Sequence, residues 1–230
     1  IVARADPDDR DQDGISGRPN RFVDGRVGRF GRKAFIPTLR QFNDGAFLQE
    51  QGITNPTALR EETIAGQPIP AGVDPVPEPE IGQEVLDLTD TFVRFLASPA
   101  RQKLTRSGRR GERVFSDIGC ATCHVPRLKT GDHPVRALRH RTVAAYTDLL
   151  IHDMGQDLAD VCLGLATPSE FRTEPLMGLR LSTSFLHDGR AATLEEAVQL
   201  HGGEAGLTRD RFNALSAADR EALVEFLKKL

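Results

Sequence analysis

The chain has 230 residues, of which 39% are hydrophobic and 27% charged, and such a composition is typical of a globular protein with its own apolar core. Its formal net charge of −3 comes without a run of Lys and Arg, which argues against a nucleic-acid-binding surface. No segment approaches the ~18 apolar residues of a membrane span, and three cysteines do not form a disulfide framework. The sequence has no Trp and a single Tyr, and a flat prosthetic group would supply the missing aromatic bulk.

The first part of the chain predicts little regular structure. Acidic residues and turn formers dominate the first twenty positions, and only one short helix is predicted between Pro37 and Gly52. Five prolines between Ile64 and Pro79 predict an extended connector, because proline fixes φ and removes a backbone donor. We therefore predict an irregular, loop-rich segment over residues 1–80, part of an inter-domain or truncated region, followed by a mostly α domain over residues 81–230.

Four helices are predicted in this second region. Val85, Leu88, Phe92 and Phe95 recur near the helical period, and a capping box begins at Thr193 in the run Thr-Leu-Glu-Glu. No strand pattern of comparable strength is present. The predicted helices cover residues 81–97, 108–119, 193–200 and 216–230, the last with Ser216 as its N-cap.

An acidic run near the N-terminus reproduces the beginning of a calcium-binding loop. Asp9, Asp11 and Asp13 alternate and are followed by Gly14, so their carboxylates can converge on a hard cation while glycine permits the turn. The twelfth position holds Asn20 instead of the bidentate Glu of an EF-hand, so the run is not an EF-hand. A solvated acidic turn is the alternative, and both interpretations stay open.

The strongest chemical signal is the motif C-A-T-C-H, formed by Cys120, Cys123 and His124. Two thiols on one helical turn can each add to a haem vinyl group, and the adjacent His then binds the iron. A zinc site would need four soft ligands, of which only Cys162 remains outside the motif. A thioredoxin-type pair would need a βαβ setting. We therefore predict a covalent haem c, and we interpret Cys162 as a small apolar residue.

The residues around the motif resemble class I cytochromes c. Gly111 and Phe115 lie four positions apart in the helix before the motif, and the terminal helix carries Phe226. The resemblance implies that residues 105–230 form a cytochrome c-like haem domain. In this fold the first and last helices cross closely, and a glycine permits the approach.

A more extensive resemblance links the chain to the bacterial di-haem oxidoreductases, whose members are described as peroxidases or thiol oxidoreductases and which are related to di-haem cytochrome c peroxidases. The matching runs are D-P-D-D-R-D-Q-D-G-I-S-G-R-P-N (6–20), G-R-F-G-R-K-A (28–34), D-L-L-I-H-D-M-G (148–155), F-R-T-E-P-L-M-G-L-R-L-S-T-S-F-L-H-D-G-R-A-A-T-L-E-E-A-V (171–198) and H-G-G-E-A (201–205).

This resemblance implies several properties of the protein. It implies an electron-transfer module in a di-haem oxidoreductase, with a second haem domain or subunit as its partner and a small redox protein as electron donor. It also implies a periplasmic or exported protein, because this haem attachment takes place outside the bacterial inner membrane. Calcium at a domain boundary would suit it too. The sequence contains no second C-x-x-C-H, so the other haem is carried elsewhere, or this protein has one haem and a different task.

The sixth ligand of the iron is the open question for the function. The candidates are His133, His140, His152, His187, His201, Met154 and Met177. In the di-haem peroxidases a ligand Met follows the helix after the Phe-His-Asp-Gly turn, and the resemblance places His201 there. The resulting hypothesis is a bis-His site formed by His124 and His201, which relays electrons.

The other candidates have more ordinary interpretations. Met154 is the second candidate ligand, and Met177 is expected to pack in the core. His187 is expected to order its turn through hydrogen bonds. His152 is expected to make a structural hydrogen bond, and an acid/base pair with Asp153 is the alternative. The alternative function is a peroxidase that reduces peroxide at an iron left open.

Overall fold

The computed structural model describes all 230 residues and contains seven α-helices and four short strands. The helices are α1 (Leu39–Gln51), α2 (Gln83–Arg94), α3 (Arg106–Asp117), α4 (Cys120–Cys123), α5 (Leu194–Gln199), α6 (Gly206–Asn213) and α7 (Ala217–Leu227). The strands are β1 (Leu128–Lys129), β2 (Thr142–Val143), β3 (Ile151–Asp153) and β4 (Glu170–Arg172). Helical residues, with the short 3-10 turns included, account for 35% of the chain, and strand residues with isolated bridges for 9%. The mostly α prediction therefore holds only loosely, because loops and turns form the remainder.

The strands form two antiparallel pairs that the sequence pattern did not predict. β1 pairs with β2, and β3 pairs with β4 so that His152 lies opposite Phe171. Each strand has only two or three residues, which is too short to display the alternation by which a strand is recognised in a sequence. The β3–β4 pair matters for the site because β3 carries His152.

Local capping explains why the helices begin where they were predicted to begin. Thr38, Thr105 and Ser216 each accept a hydrogen bond from the third residue of α1, α3 and α7, respectively. At α5 both hydrogen bonds of the predicted capping box between Thr193 and Glu196 are present. α6 was not predicted, because it lacks a side-chain cap and buries only Phe212.

The close crossing of α3 and α7 is present as predicted. A Cβ atom added to Gly111 would lie 1.9 Å from the carbonyl oxygen of Ala222 and 2.8 Å from Cβ of Phe226. Only glycine therefore allows the two helix backbones to meet at this point. Phe115 packs edge-on against Phe226, with ring centroids 5.4 Å apart.

The main hydrophobic core surrounds this crossing. Each of its large side chains contributes roughly 1.5–3 kcal/mol through burial. It consists of Val114, Phe115, Ile118, Tyr146, Leu194, Phe212, Leu223, Val224, Phe226, Leu227 and Leu230. The core thus joins the helix before the C-A-T-C-H motif to the terminal helix and to α5.

The apolar stripe that predicted α2 faces outward. Leu88 is 63% exposed and Phe92 is 67% exposed, whereas Leu86 on another face is fully buried. α2 packs against α1, and Arg40 of α1 forms an ion pair with Asp87 of α2 at 2.6 Å. No helix of the protein has both the length and the apolar character needed to cross a membrane.

Residues before position 60 contact the C-terminal part of the chain directly. Arg18 pairs with Glu170 at 2.6 Å, and the side-chain amide of Asn20 donates hydrogen bonds to the carbonyls of Lys33 and Leu163. Lys33 is only 1% exposed. The loop-rich segment is therefore fastened to the strand and loop region that follows the C-A-T-C-H motif.

Candidate haem site

The two cysteines of the motif lie on α4, a single helical turn that directly follows α3. Gly119 takes a left-handed conformation with φ of 101° and lets the chain turn from one helix into the next. Cys120 and Cys123 are free and partly buried. Burial raises the pKa of the Cys120 thiol to about 12. Neither sulfur atom is in a disulfide, as thioether formation with a haem requires.

His124 is held in an orientation that leaves one ring nitrogen available. Its Nδ1 lies 3.0 Å from the carbonyl oxygen of Tyr146, to which it donates a hydrogen bond. Burial, and next the charge of His201, lower the pKa of His124 to about 4. The ring is therefore neutral, and its Nε2 has no hydrogen-bond partner in the protein. A neutral imidazole with Nδ1 fixed by a carbonyl is the usual form of a metal ligand.

His201 repeats this arrangement at the end of α5. Its Nδ1 donates to the carbonyl oxygen of Ala197 at 2.7 Å, and its Nε2 has no partner in the protein. Burial lowers the pKa of His201, so this ring is also neutral. A charge on His201 would lower the pKa of His124, so the two rings lie within electrostatic range of each other. Cys120, Cys123 and His124 are contiguous in the motif, and His201 is the fourth residue predicted for the haem.

The donor set and its surroundings fit a haem. Two free thiols stand on one turn, and two imidazoles each present an unoccupied nitrogen. Partly buried apolar side chains pack against the main core, and they are Leu104, Cys120, Ala121, Leu176, Leu179, Phe185, Val198 and Leu215. The two cysteines and the two histidines could hold a haem.

The two methionines lie in different places. Met154 follows β3, and a Cβ atom added to Gly202 would lie 2.7 Å from the Met154 carbonyl oxygen. Met154 is therefore next to the loop that begins with His201. Met177 instead lines a cavity of about 300 Å³ together with Arg101 and Tyr146.

The remaining histidines differ from their predicted roles. His187 makes no side-chain hydrogen bond, contrary to expectation, and stacks instead on Phe171 with ring centroids 4.2 Å apart. Burial lowers its pKa. His133 accepts a hydrogen bond from the amide of Val135, and His140 lies 3.0 Å from Asp132. These last two histidines therefore have local partners in an exposed loop.

His152 makes a structural hydrogen bond, but not with Asp153. Its Nε2 lies 2.9 Å from Asp148 and its Nδ1 lies 2.8 Å from Glu204. The structural hydrogen bond expected for His152 is thus present. The alternative acid/base pair with Asp153 does not form, because successive side chains of a strand point to opposite faces, so that His152 is buried and Asp153 is exposed. Cys123 Sγ lies 3.8 Å from the Nδ1 of His152, which places this cluster beside the haem motif.

The charges of this buried cluster follow from its contacts. Burial opposes the charged form of His152, but hydrogen bonds to Asp148, Cys123 and Glu204 outweigh it and raise its pKa to about 12. For Asp148 and Glu204 the hydrogen bond from His152 outweighs burial and lowers the carboxyl pKa. The cluster is an imidazolium between two carboxylates. Sequence reasoning missed Glu204, whose sole signal was its place in the run H-G-G-E-A.

The three aspartates of the acidic loop are close together. Carboxylate oxygens of Asp9, Asp11 and Asp13 all lie within 4.8 Å of one another. Burial raises the pKa of Asp13, although a hydrogen bond from Ile15 opposes it, and Asp11 and Asp9 add to the rise. The twelfth residue of the run, Asn20, is buried and bonded to backbone groups elsewhere, so it does not face the aspartates.

Cys162 is exposed, which contradicts its interpretation as a small apolar packing residue. It lies in the loop between β3 and β4, beside the turn in which Leu163 and Ala166 form an isolated bridge. This thiol is far along the chain from the C-A-T-C-H motif and is not among the residues of the site.

One relative and two solved structures are similar to parts of this chain. The gamma subunit of hydrazine synthase from Kuenenia stuttgartiensis is 28% identical over 162 residues, which are 60% of this chain and 46% of that subunit. The chain thus spans about half the length of the curated relative it matches. A solved structure of hydrazine synthase from the same organism, obtained under xenon pressure, is 24% identical to this chain. The match covers 63% of this chain and 55% of the chain in that structure, with a TM-score of 0.41.

The second solved structure is a MauG-like protein associated with microbial copper homeostasis. It is 20% identical to this chain, and the match covers 94% of this chain and 73% of the MauG-like chain, with a TM-score of 0.49. A family model described as "Di-haem oxidoreductase, putative peroxidase" matches residues 1–230. Because this match covers the whole sequence, the chain belongs to the di-haem oxidoreductase family.

Proposed function

We propose that this chain is a c-type cytochrome module that transfers electrons within a di-haem oxidoreductase. One haem is attached covalently through Cys120 and Cys123, and its iron is bound by His124 on one face and His201 on the other. The observation that carries the proposal is the pair of half-buried imidazoles, each with Nδ1 fixed by a backbone carbonyl and Nε2 free. Membership of a di-haem family supports haem as the ligand.

Each protein group has a defined task in this proposal. The haem supplies an iron that accepts and releases one electron. The carbonyls of Tyr146 and Ala197 orient His124 and His201, and the ring of Phe115 lies beside that of His124 with centroids 6.4 Å apart. A haem iron held by both imidazoles would have no position left for peroxide, and it would lack the Met ligand that raises the potential of many cytochromes c.

The covalent attachment is tested by mass spectrometry of the protein matured in a host that assembles c-type cytochromes. The unaltered chain is expected to carry one haem that survives denaturation and acid extraction. Cys120→Ala with Cys123→Ala is expected to lose it. The matched control is Cys162→Ala, which removes the exposed thiol and should leave the haem in place. Haem lost from the control, or retained covalently by the double variant, would contradict the proposed attachment.

The axial ligands are tested by low-temperature EPR and near-infrared magnetic circular dichroism of the ferric protein. A bis-His signature is expected, cyanide should bind the unaltered protein only weakly, and peroxide should leave its Soret band unchanged. His201→Ala should open the iron and produce a Soret shift with cyanide, whereas Met154→Leu should behave as the unaltered protein. A His–Met signature would reject His201 as the ligand. A Soret shift with peroxide in the unaltered protein would favour a peroxidase acting at this haem.

The proposed partners and location follow from the family and from the number of haem motifs. The family description names two haems and this sequence has one C-x-x-C-H. We assign the second haem to another domain or subunit, and electron donation to a small redox protein. Covalent haem attachment places the protein in the periplasm or outside the cell. Stopped-flow reduction by a small cytochrome or copper protein tests the donor, and a rate that does not rise with donor concentration would argue against it.

We also assign Ca²⁺ to the acidic loop. Three carboxylates converge in this loop, and burial together with the acidic neighbours raises the pKa of Asp13. A hard cation bound here would relieve the repulsion between the carboxylates. Calcium is expected to raise the melting temperature of chelator-treated protein. Asp11→Asn with Asp13→Asn should abolish the rise, while Asp8→Asn, a nearby exposed residue outside the trio, should preserve it. An unchanged melting temperature on adding calcium would refute the assignment.

A further inference from the structure

Glu204 is the central hydrogen-bond acceptor of the region next to His201. Its Oε2 lies 2.8 Å from Nδ1 of His152 and accepts a hydrogen bond from the amide of Ser16 at 3.0 Å. Its Oε1 accepts from the hydroxyl of Ser16 at 2.9 Å and from the amide of Asp153 at 3.3 Å. One carboxylate therefore joins three segments that are distant in the sequence.

The loop that carries Glu204 is pressed against the end of β3. A Cβ atom added to Gly203 would lie 2.2 Å from the carbonyl oxygen of Asp153, and one added to Gly202 would lie 2.7 Å from that of Met154. Two successive glycines thus permit direct backbone contact. Since His201 immediately precedes them, the position of its ring depends on how this loop is seated.

The residues that directly follow the acidic loop, Ser16 and Gly17, pack against the other side of the cluster. A Cβ atom added to Gly17 would lie 2.4 Å from Cε1 of His152, so the backbone at Gly17 lies directly on the imidazole ring. His152 is 4% exposed, and both of its ring nitrogens contact carboxylates. Cys123, Asp148 and His152 therefore do not form a metal site, although their ligand atoms are close, because the histidine has no free nitrogen.

An ionic cluster of this kind is a poor source of stability. Removing two carboxylates and an imidazolium from water is unfavourable, and well-packed apolar residues in their place are often as stable. Its directional hydrogen bonds do fix geometry, and metal ligands depend on such supporting contacts. The cluster touches Cys123 on one side and seats the His201 loop on the other.

We propose that Glu204 is a positioning residue for the axial ligand His201, which it holds by fastening the His201–Ala205 loop to His152 and to Ser16. This inference rests on the proposed bis-His haem. Loss of the Glu204 carboxylate loosens the loop, so His201 leaves the iron more often and an external ligand competes more successfully. Ser16, through its two hydrogen bonds, supports the same loop from the acidic segment.

The test uses the haem-loaded chain and titrates the ferric protein with cyanide. Glu204→Gln is expected to bind cyanide about 10–100-fold more tightly than the unaltered protein, the range over which supporting contacts affect metal ligation. Its EPR spectrum should gain a high-spin component. Ser16→Ala should change both readouts in the same direction but less. Glu195→Gln is the matched control, because Glu195 is an exposed glutamate of α5 without a side-chain hydrogen bond.

The outcomes separate this inference from the proposed function. If His201→Ala strengthens cyanide binding while Glu204→Gln and Ser16→Ala match Glu195→Gln, the bis-His site stands and the role of Glu204 is rejected. If His201→Ala changes neither cyanide binding nor the EPR spectrum, the bis-His site itself fails and the inference fails with it. Should Glu204→Gln not fold, Ser16→Ala decides, because its deletion of one hydroxyl leaves the buried charges intact.

Discussion

Replacing Gly111 with alanine tests the helix crossing on which the haem site is built. The added Cβ would lie 1.9 Å from the carbonyl oxygen of Ala222, whereas real Cβ contacts are not shorter than 3.0 Å. α3 and α7 must therefore move apart by at least about 1 Å. The clash is with backbone, so no side-chain rotation can relieve it.

The cost can be worked from these contacts. Overpacking of a core costs roughly 1–3 kcal/mol, and a backbone clash belongs at the upper end. Separating the helices also weakens the contact between Phe115 and Phe226, which is worth about 1 kcal/mol, while alanine regains about 1 kcal/mol of helix propensity. The net loss is about 3 kcal/mol, which lowers the melting temperature by roughly 6–12 °C in a chain of this size.

Urea unfolding followed by far-ultraviolet circular dichroism measures this difference, and Gly108→Ala provides the control. Gly108 lies on the same helix, but its added Cβ would meet only side-chain atoms at 3.4 Å or more. This variant is therefore expected to gain up to about 1 kcal/mol from helix propensity. If Gly111→Ala were as stable as the unaltered chain, the crossing of α3 and α7 would not have the described geometry.

Three further predictions concern buried polar groups and a cap. Lys33→Met should lower the free energy of unfolding in urea by about 3 kcal/mol, because it leaves Asp160 without its buried partner. Arg32→Met is the control: it removes an exposed partner of the same carboxylate and should lower the free energy of unfolding by less than about 1 kcal/mol. The pKa of His152 is raised to about 12, so the protonated ring stabilises the fold fully below pH ~6.5, and this stabilisation declines above that pH. The difference in unfolding free energy between the unaltered chain and His152→Gln should therefore shrink from pH 7 to 9, by up to about 1.4 kcal/mol per pH unit. A constant difference would contradict this. Thr193→Ala should cost about 1 kcal/mol in thermal melts through loss of the α5 capping box, and no loss would contradict the cap.

Local signals allowed most helices to be predicted from the sequence. The caps at Thr38, Thr193 and Ser216 act on residues within one turn, so the amino acids that form them are adjacent in the sequence. The strands were missed because their two or three residues are defined by a distant partner strand. The exposure of the apolar face of α2 was not predictable either, because a periodic apolar pattern indicates a helix but not which part of the protein packs against it.

The residues of the candidate site also fall into two groups: those signalled by adjacent residues and those brought together only by folding. Cys120, Cys123 and His124 are contiguous and need no tertiary information, whereas His201 came from a resemblance and not from its own surroundings. The contacts of His152 with Glu204 join residues 52 positions apart, and no periodicity signals such a pair. Lys33 was missed because lysine is seldom fully buried, and here three backbone carbonyls accept its protons.

The runs by which the family is recognised are scattered along the chain, but three of them converge at one place. Ser16 comes from residues 6–20, His152 from residues 148–155 and Glu204 from residues 201–205, and their side chains form one hydrogen-bonded cluster beside Cys123. The same cluster connects the acidic loop to the loop of His201. If both assignments hold, calcium bound by the aspartates would order Ser16 and thereby favour the six-coordinate haem. Chelation should then strengthen cyanide binding in the unaltered protein and have no effect in Ser16→Ala, and equal responses in the two would show that the loop acts on its own.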